Sequence, residues 1–153
     1  PEIVDSMVNH FLASDFDYTS CVHVRSFPRG LDTEVVRVDA LKKASRLATE
    51  RRHREHVTVY IYENPASFRI ASYFAEGEWR RSDIRLCLDD REDFQVLEEV
   101  LANTCPGRVE EVSVLEVIGY LDSRPDLLRR MQAAEARHNQ KNLSEGIHQE
   151  TLE

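Results

Sequence analysis

Glycine is scarce: the chain has 5 in 153 residues, about 3% where ~7% is usual. None stands in a GxGxxG or GxxxxGK-Ser/Thr arrangement, so this chain contains no complete glycine-loop phosphate site of the usual kinds. Cationic charge is short as well. Lys and Arg total 20 against 28 Asp and Glu, a net charge of −8, whereas a protein that coats nucleic acid needs a basic face to neutralise phosphates. No nucleic-acid partner is expected. The three cysteines, Cys21, Cys87 and Cys105, form no CxxC pair and lie in or beside apolar runs, which predicts reduced thiols and a cytoplasmic location. No apolar run approaches the ~20 residues of a membrane helix, and no secretion signal is visible. What is present suits a folded domain. Hydrophobic residues make up 41% and charged residues 31%, and the length fits one domain or a large piece of one.

Pro1-Glu2-Ile3-Val4 reads as the first turn of a helix, with Pro at its first position and an acid at the positive dipole end. With no initiator Met, this predicts a chain that starts within a larger protein. Ile3, Val4, Met7, Val8, Phe11 and Leu12 recur at helical spacing over residues 1–13. Residues 16–24 are rich in β-branched and aromatic types and read as a strand. A turn at Pro28-Arg29-Gly30 leads to a second strand over 32–38, and Asp39 is expected to cap a helix over 40–50. The segment 51–65 fits either a strand at 57–62 or a helix that stops before Pro65. Strands are expected at 68–74 and 84–88, then helices at 91–101, 112–121 and 125–136. Residues 1–136 read as the domain, and 137–153 as a polar tail or linker. The alternation predicts an α/β layer fold, in which ligands bind where loops leave the strands' carboxyl ends. That directs attention to the loops 25–31 and 88–93.

In Arg85-Leu86-Cys87-Leu88-Asp89-Asp90-Arg91-Glu92-Asp93-Phe94 an apolar strand ends in two carboxylates and a helix begins at once. Either acid could cap that helix. A carboxylate there could equally hold Mg²⁺, which takes oxygen ligands and keeps one or two carboxylates plus substrate phosphates. Both hold if Asp90 caps and Asp89 points into a cleft. Asp32 and Glu34 lie two apart after Gly30, hence on one face of an extended segment, where they could bind sugar hydroxyls or a metal, or be a solvated strand face. The cluster Arg51-Arg52-His53-Arg54-Glu55-His56 could meet an anion or be a solvated basic face. Tyr60, Tyr62, Phe68, Tyr73 and Phe74 are most simply core residues.

Four stretches in register resemble one family: the Pro1-Glu2-Ile3-Val4-Asp5 helix start, Gly30-Leu31-Asp32-Thr33-Glu34-Val35, Arg54-Glu55-His56-Val57-Thr58, and the strand end at Asp89 with Glu92-Asp93-Phe94 after it. The family is the cytidylyltransferases that include the acylneuraminate and Kdo enzymes. The likeness is greatest to the branch named for the spore coat polysaccharide biosynthesis protein F, and it runs from Pro1 to about Pro125. It implies a nucleotide-diphospho-sugar transferase (Rossmann-like) α/β/α sandwich around a mostly parallel sheet. It also implies a reaction that transfers CMP from CTP to a sugar and releases pyrophosphate, with Mg²⁺ on the phosphates. On this resemblance Asp89 is the metal carboxylate. Asp32, Glu34, Arg54, Glu55 and His56 become substrate-side candidates, and the enzyme is expected to be a homodimer.

The chain departs from the pattern at Val59, Asp90 and Arg91, where the family has Pro, Thr and Pro. The glycine- and basic-rich loop that opens the family's fold is also missing. The resemblance therefore implies the C-terminal part of such an enzyme, inactive alone. The alternative is a non-catalytic interaction or regulatory module on the same fold.

Overall fold

The computed structural model of the chain describes residues 2–56, 58–107 and 112–144. Pro1 as a helix start, Val57 within the ambiguous segment and residues 145–153 of the polar stretch lie outside the described residues. The chain divides into two compact units, one of Pro1–Val24 with Asp32–Phe74, the other of Arg25–Leu31 with Ala75–Glu153.

In the first unit, helix α1 (Glu2–Leu12) buries Met7 and Phe11, four residues apart on one face. Strand β1 (Tyr18–Ser20) is fully buried and central in a three-stranded sheet. It pairs antiparallel with β2 (Glu34–Val36), Thr19 opposite Val35, and parallel with β3 (Ile70–Ser72), Thr19 opposite Ala71. The expected strands thus exist but are shorter: of 16–24, only Tyr18–Ser20 finds partners on both sides. Helix α2 (Val38–Leu47) corrects the assigned cap. It starts ahead of Asp39, which sits in the first turn, and the residue before it is Arg37 in extended backbone. The Arg37 side chain instead donates from Nε to the Phe16 carbonyl at 2.8 Å. The ambiguous segment proves helical, as α3 (Arg51–Glu55) and α4 (Val59–Tyr62), broken by extended backbone at His56. The core gathers Tyr18, Ala40, Ala44, Ile61 and Phe68, with Val36, Tyr60, Tyr62 and Ile70 against it. Phe74, expected in the core, is 53% exposed.

In the second unit a single 3₁₀ turn (Gly77–Trp79) precedes the apolar run at 84–88. That run forms no ladder strand: its backbone pairs only at an isolated parallel bridge between Arg85 and Arg29. Helices α5 (Arg91–Thr104), α6 (Val114–Asp122) and α7 (Pro125–Ser144) follow, and α7 runs well past residue 136. Val96 and Val100 of α5, Val117, Ile118 and Leu121 of α6, and Leu127 and Met131 of α7 close around Ile84. Phe94 is on the outer side of α5, 52% exposed. No disulfide joins the three cysteines. Among the described residues no helix is long and apolar enough to cross a membrane.

Candidate functional site

Both loops singled out by sequence belong to the second unit. Gly30 adopts φ +101°, a backbone that side-chain-bearing residues rarely take, and a Cβ built there would stand 2.5 Å from the Leu86 carbonyl oxygen. Its bare backbone lets the segment 25–31 lie on the apolar run. Arg29 N–H donates to the Ile84 carbonyl at 2.9 Å, and Leu86 N–H donates to the Arg29 carbonyl at 2.7 Å.

Beyond Leu88 the two carboxylates divide their work. Asp90 has extended backbone and caps α5, its Oδ1 accepting from the backbone N–H of Glu92 at 2.8 Å and of Asp93 at 2.9 Å. This supplies acceptors for two of the unsatisfied donors at the helix start. Asp89 is thereby released from capping. Its side chain is about half exposed, and Oδ2 accepts from Arg85 Nη2 at 2.5 Å, with His138 Nδ1 3.9 Å away.

Arg85 is the centre that sequence reading missed. It is 4% exposed and holds Asp93 through Nε (3.3 Å) and Nη2 (3.2 Å), Glu135 through Nη1 (3.0 Å), and Asp89. Glu135 also pairs with Arg29 at 2.9 Å, and Asp93 also accepts from Asp89 N–H at 2.9 Å. Burial works against the charge on Asp93, but the Arg85 guanidinium and the backbone N–H donors outweigh it and hold the carboxyl below its usual range. A signal was available: an arginine inside Ile84-Arg85-Leu86-Cys87-Leu88 must find anionic partners if the run is buried.

The substrate-side candidates all lie in the first unit. Glu34 accepts from the Tyr18 hydroxyl and, at 3.0 Å, from the Thr58 hydroxyl. Tyr62 stands between Tyr18 and His23, with ring centroids 6.5 and 4.6 Å away. Burial and then the Glu34 bond push the Tyr18 phenol well above its ordinary value. Asp32, Arg54, Glu55 and His56 are exposed, and Arg54 reaches Ser45, at 3.5 Å. In the basic cluster Arg52 is bidentate on Glu63, at 2.5 and 2.7 Å, and the buried His53 ring meets the same carboxylate at 2.9 Å. Part of that cluster is therefore an internal ion-pair network.

Among the described residues no group of three or more His, Cys, Asp or Glu is placed to hold a metal by itself. The donor set at Asp89 suits a different kind of site: one oxygen is taken by Arg85 and no hydrogen bond among the described residues occupies the other. That fits Mg²⁺, which uses one or two carboxylates and completes its shell with water and phosphate.

No protein-family model matches the chain. An uncharacterized protein of Methanocaldococcus jannaschii is 36% identical over 82% of this chain and 49% of its own length. The spore coat polysaccharide biosynthesis protein SpsF of Bacillus subtilis is 31% identical over 87% of this chain and 54% of its own. Among solved structures, a cytidylyltransferase from Leptospira borgpetersenii serovar Hardjo-bovis superposes with a TM-score of 0.74 at 26% identity, over 83% of this chain and 52% of that one. The chain spans about half the length of the relatives it matches.

Proposed function

We infer that this chain, a member of the cytidylyltransferase family by sequence and by fold, forms the acceptor side of an enzyme that transfers CMP from CTP to a sugar. In the proposed reaction a sugar hydroxyl attacks the α-phosphorus in line, the α–β phosphoanhydride bond breaks and pyrophosphate leaves. The product would feed a cell-surface or spore-coat polysaccharide. Catalysis of this kind rests on positioning and charge neutralisation more than on covalent chemistry.

The observation that carries the reading is the division of labour at the start of α5. Asp90 satisfies the helix, and Asp89 is left half exposed with an oxygen available beside a buried arginine. Asp89 would hold Mg²⁺, which when bound offsets the charge of the phosphates. In the first unit Glu34, oriented by Tyr18 and Thr58, has the chemistry to receive sugar hydroxyls. Asp32, Arg54, Glu55 and His56 are the further substrate-side candidates. We take the working enzyme to be a homodimer in a reducing, cytoplasmic setting.

The test is pyrophosphate release by the full-length protein carrying this chain, given CTP, Mg²⁺ and a panel of acidic and amino sugars. Turnover that Asp89→Asn abolishes without unfolding the protein supports the reading. Absence of pyrophosphate with every sugar refutes it, and leaves the non-catalytic module.

A further inference from the structure

Arg85 is held more tightly than the carboxylate it faces. Asp93 occupies Nε and Nη2, Glu135 occupies Nη1, and both acids have a second partner, the Asp89 backbone N–H and Arg29 respectively. A planar guanidinium clamped at three nitrogens has one orientation. Asp89 differs, since its side chain is 51% exposed and held at Oδ2 alone among the described residues.

We propose that Arg85 is the positioning residue of Asp89: it fixes Oδ2 so that Oδ1 is presented to a divalent cation. This rests on the metal reading of Asp89 given above and adds the residue that would make that carboxylate a defined ligand. Carboxylate ligands are commonly held by such outer hydrogen bonds, and their loss costs about 10–100-fold in metal affinity.

A guanidinium beside a ligand repels the incoming cation, so its removal could tighten binding. Here the two cations Arg29 and Arg85 are matched by the two carboxylates Glu135 and Asp93. With Arg85 in place these four charges sum to zero, and Asp89, paired to Arg85 at Oδ2, adds one negative charge to the cluster. Arg85→Gln makes these surroundings one unit more negative, so weaker binding in that variant reads out the loss of orientation against the direction of the charge change. Lysine keeps the charge but cannot reproduce a planar fork, so it restores only part of the effect.

The probe is Mn²⁺ alone, titrated into the ¹⁵N-labelled chain, with paramagnetic broadening of the amide signals of residues 89–93 as readout. This detects weak binding, and the same spectra report whether each variant is folded. Wild type is expected to show selective broadening that Asp89→Asn removes. Arg85→Gln is expected to need about 10–100-fold more Mn²⁺ for the same broadening, with Arg85→Lys in between. If Arg85→Gln does not fold, Glu135→Asp shortens one strut at constant charge and leaves the Arg85–Asp89 pair, and it is expected to weaken binding by a smaller factor. A folded Arg85→Gln that binds within twofold of wild type, or more tightly, overturns the proposal alone. So does Glu135→Asp at wild-type affinity where Arg85→Gln is unfolded. No selective broadening in wild type overturns the metal reading itself, and this proposal with it.

Discussion

Gly30→Ala should be among the costly single-methyl additions in this chain, and Gly77→Ala supplies its control. Both glycines have positive φ, +101° and +55°, so each substitution places a Cβ in left-handed backbone at about 1–2 kcal/mol. A smaller entropy of the unfolded chain returns about 0.4–1 kcal/mol in both cases. The surroundings then separate them. A Cβ on Gly77 meets nothing within 4 Å, whereas one on Gly30 lies 2.5 Å from the Leu86 oxygen and 2.7 Å from the Leu86 carbonyl carbon, both backbone. Neither can swing aside as a side chain would. The segment must lift, which breaks the bonds Arg29 N–H to Ile84 and Leu86 N–H to Arg29, at about 1 kcal/mol each. The expected destabilisation is about 3 kcal/mol for Gly30→Ala and about 1 kcal/mol for Gly77→Ala. Urea unfolding of the 153-residue chain, followed by circular dichroism, measures both. If the two variants fall within about 0.5 kcal/mol of each other, the close approach of segment 25–31 to Leu86 does not exist as described.

Asp90→Ala should cost about 1 kcal/mol through loss of the α5 cap, and Asp90→Ser should recover most of it, both read by urea unfolding. Leu127, fully buried among Ile84, Val100 and Leu121, should lose about 2–5 kcal/mol when cut to Ala, visible as a lowered urea midpoint. The Tyr18 phenol, raised by burial and by Glu34, holds its proton more tightly folded than unfolded. Its contribution is therefore complete below the ordinary phenol range and is lost as pH rises above that range. In an absorbance titration at 295 nm its ionisation should accompany unfolding, and Tyr18→Phe should remove that component. Asp83 is the opposite case: the hydrogen bond from Arg81 holds its carboxyl below the usual range. Its stabilisation is present above the ordinary carboxyl value and fades as pH falls through the lowered one. Asp83→Asn should flatten that part of the acid-stability curve in thermal melts.

Local patterns reveal what is local. Met7 and Phe11 announce α1, and Asp90 followed by Glu92-Asp93 announces the cap of α5, because those interactions span three or four residues. The strand lengths are not legible, since β1 is limited to Tyr18–Ser20 by partners at Glu34–Val36 and Ile70–Ser72. Apolar content alone does not make 84–88 a ladder strand, for its neighbour offers one bridge, at Arg29. Segment 51–65 has β-favouring residues yet forms helical turns, with Ile61 buried in one cluster with Tyr18 and Phe68 as a tertiary override of propensity. At the site, Asp89 is visible as the acid ending an apolar run. Arg85 signals its need for anions by standing inside that run, but its partner Glu135 is not legible there, because it arrives fifty residues later on α7.

The second unit takes Arg25–Leu31 from the middle of the first unit's sequence, and this has consequences for how the chain is made and inherited. Arg29 must wait for Ile84 and Leu86, its backbone partners. Synthesis at about 5–20 residues per second leaves that segment without them for about 3–11 s. Closing the intervening loop then costs about 3–4 kcal/mol of chain entropy. No single break separates the units, since every one-cut division strands a segment of one within the other's fragment. Recombination at one point therefore cannot exchange one unit for a homologue's; a whole-unit exchange takes three crossovers, at 24/25, 31/32 and 74/75.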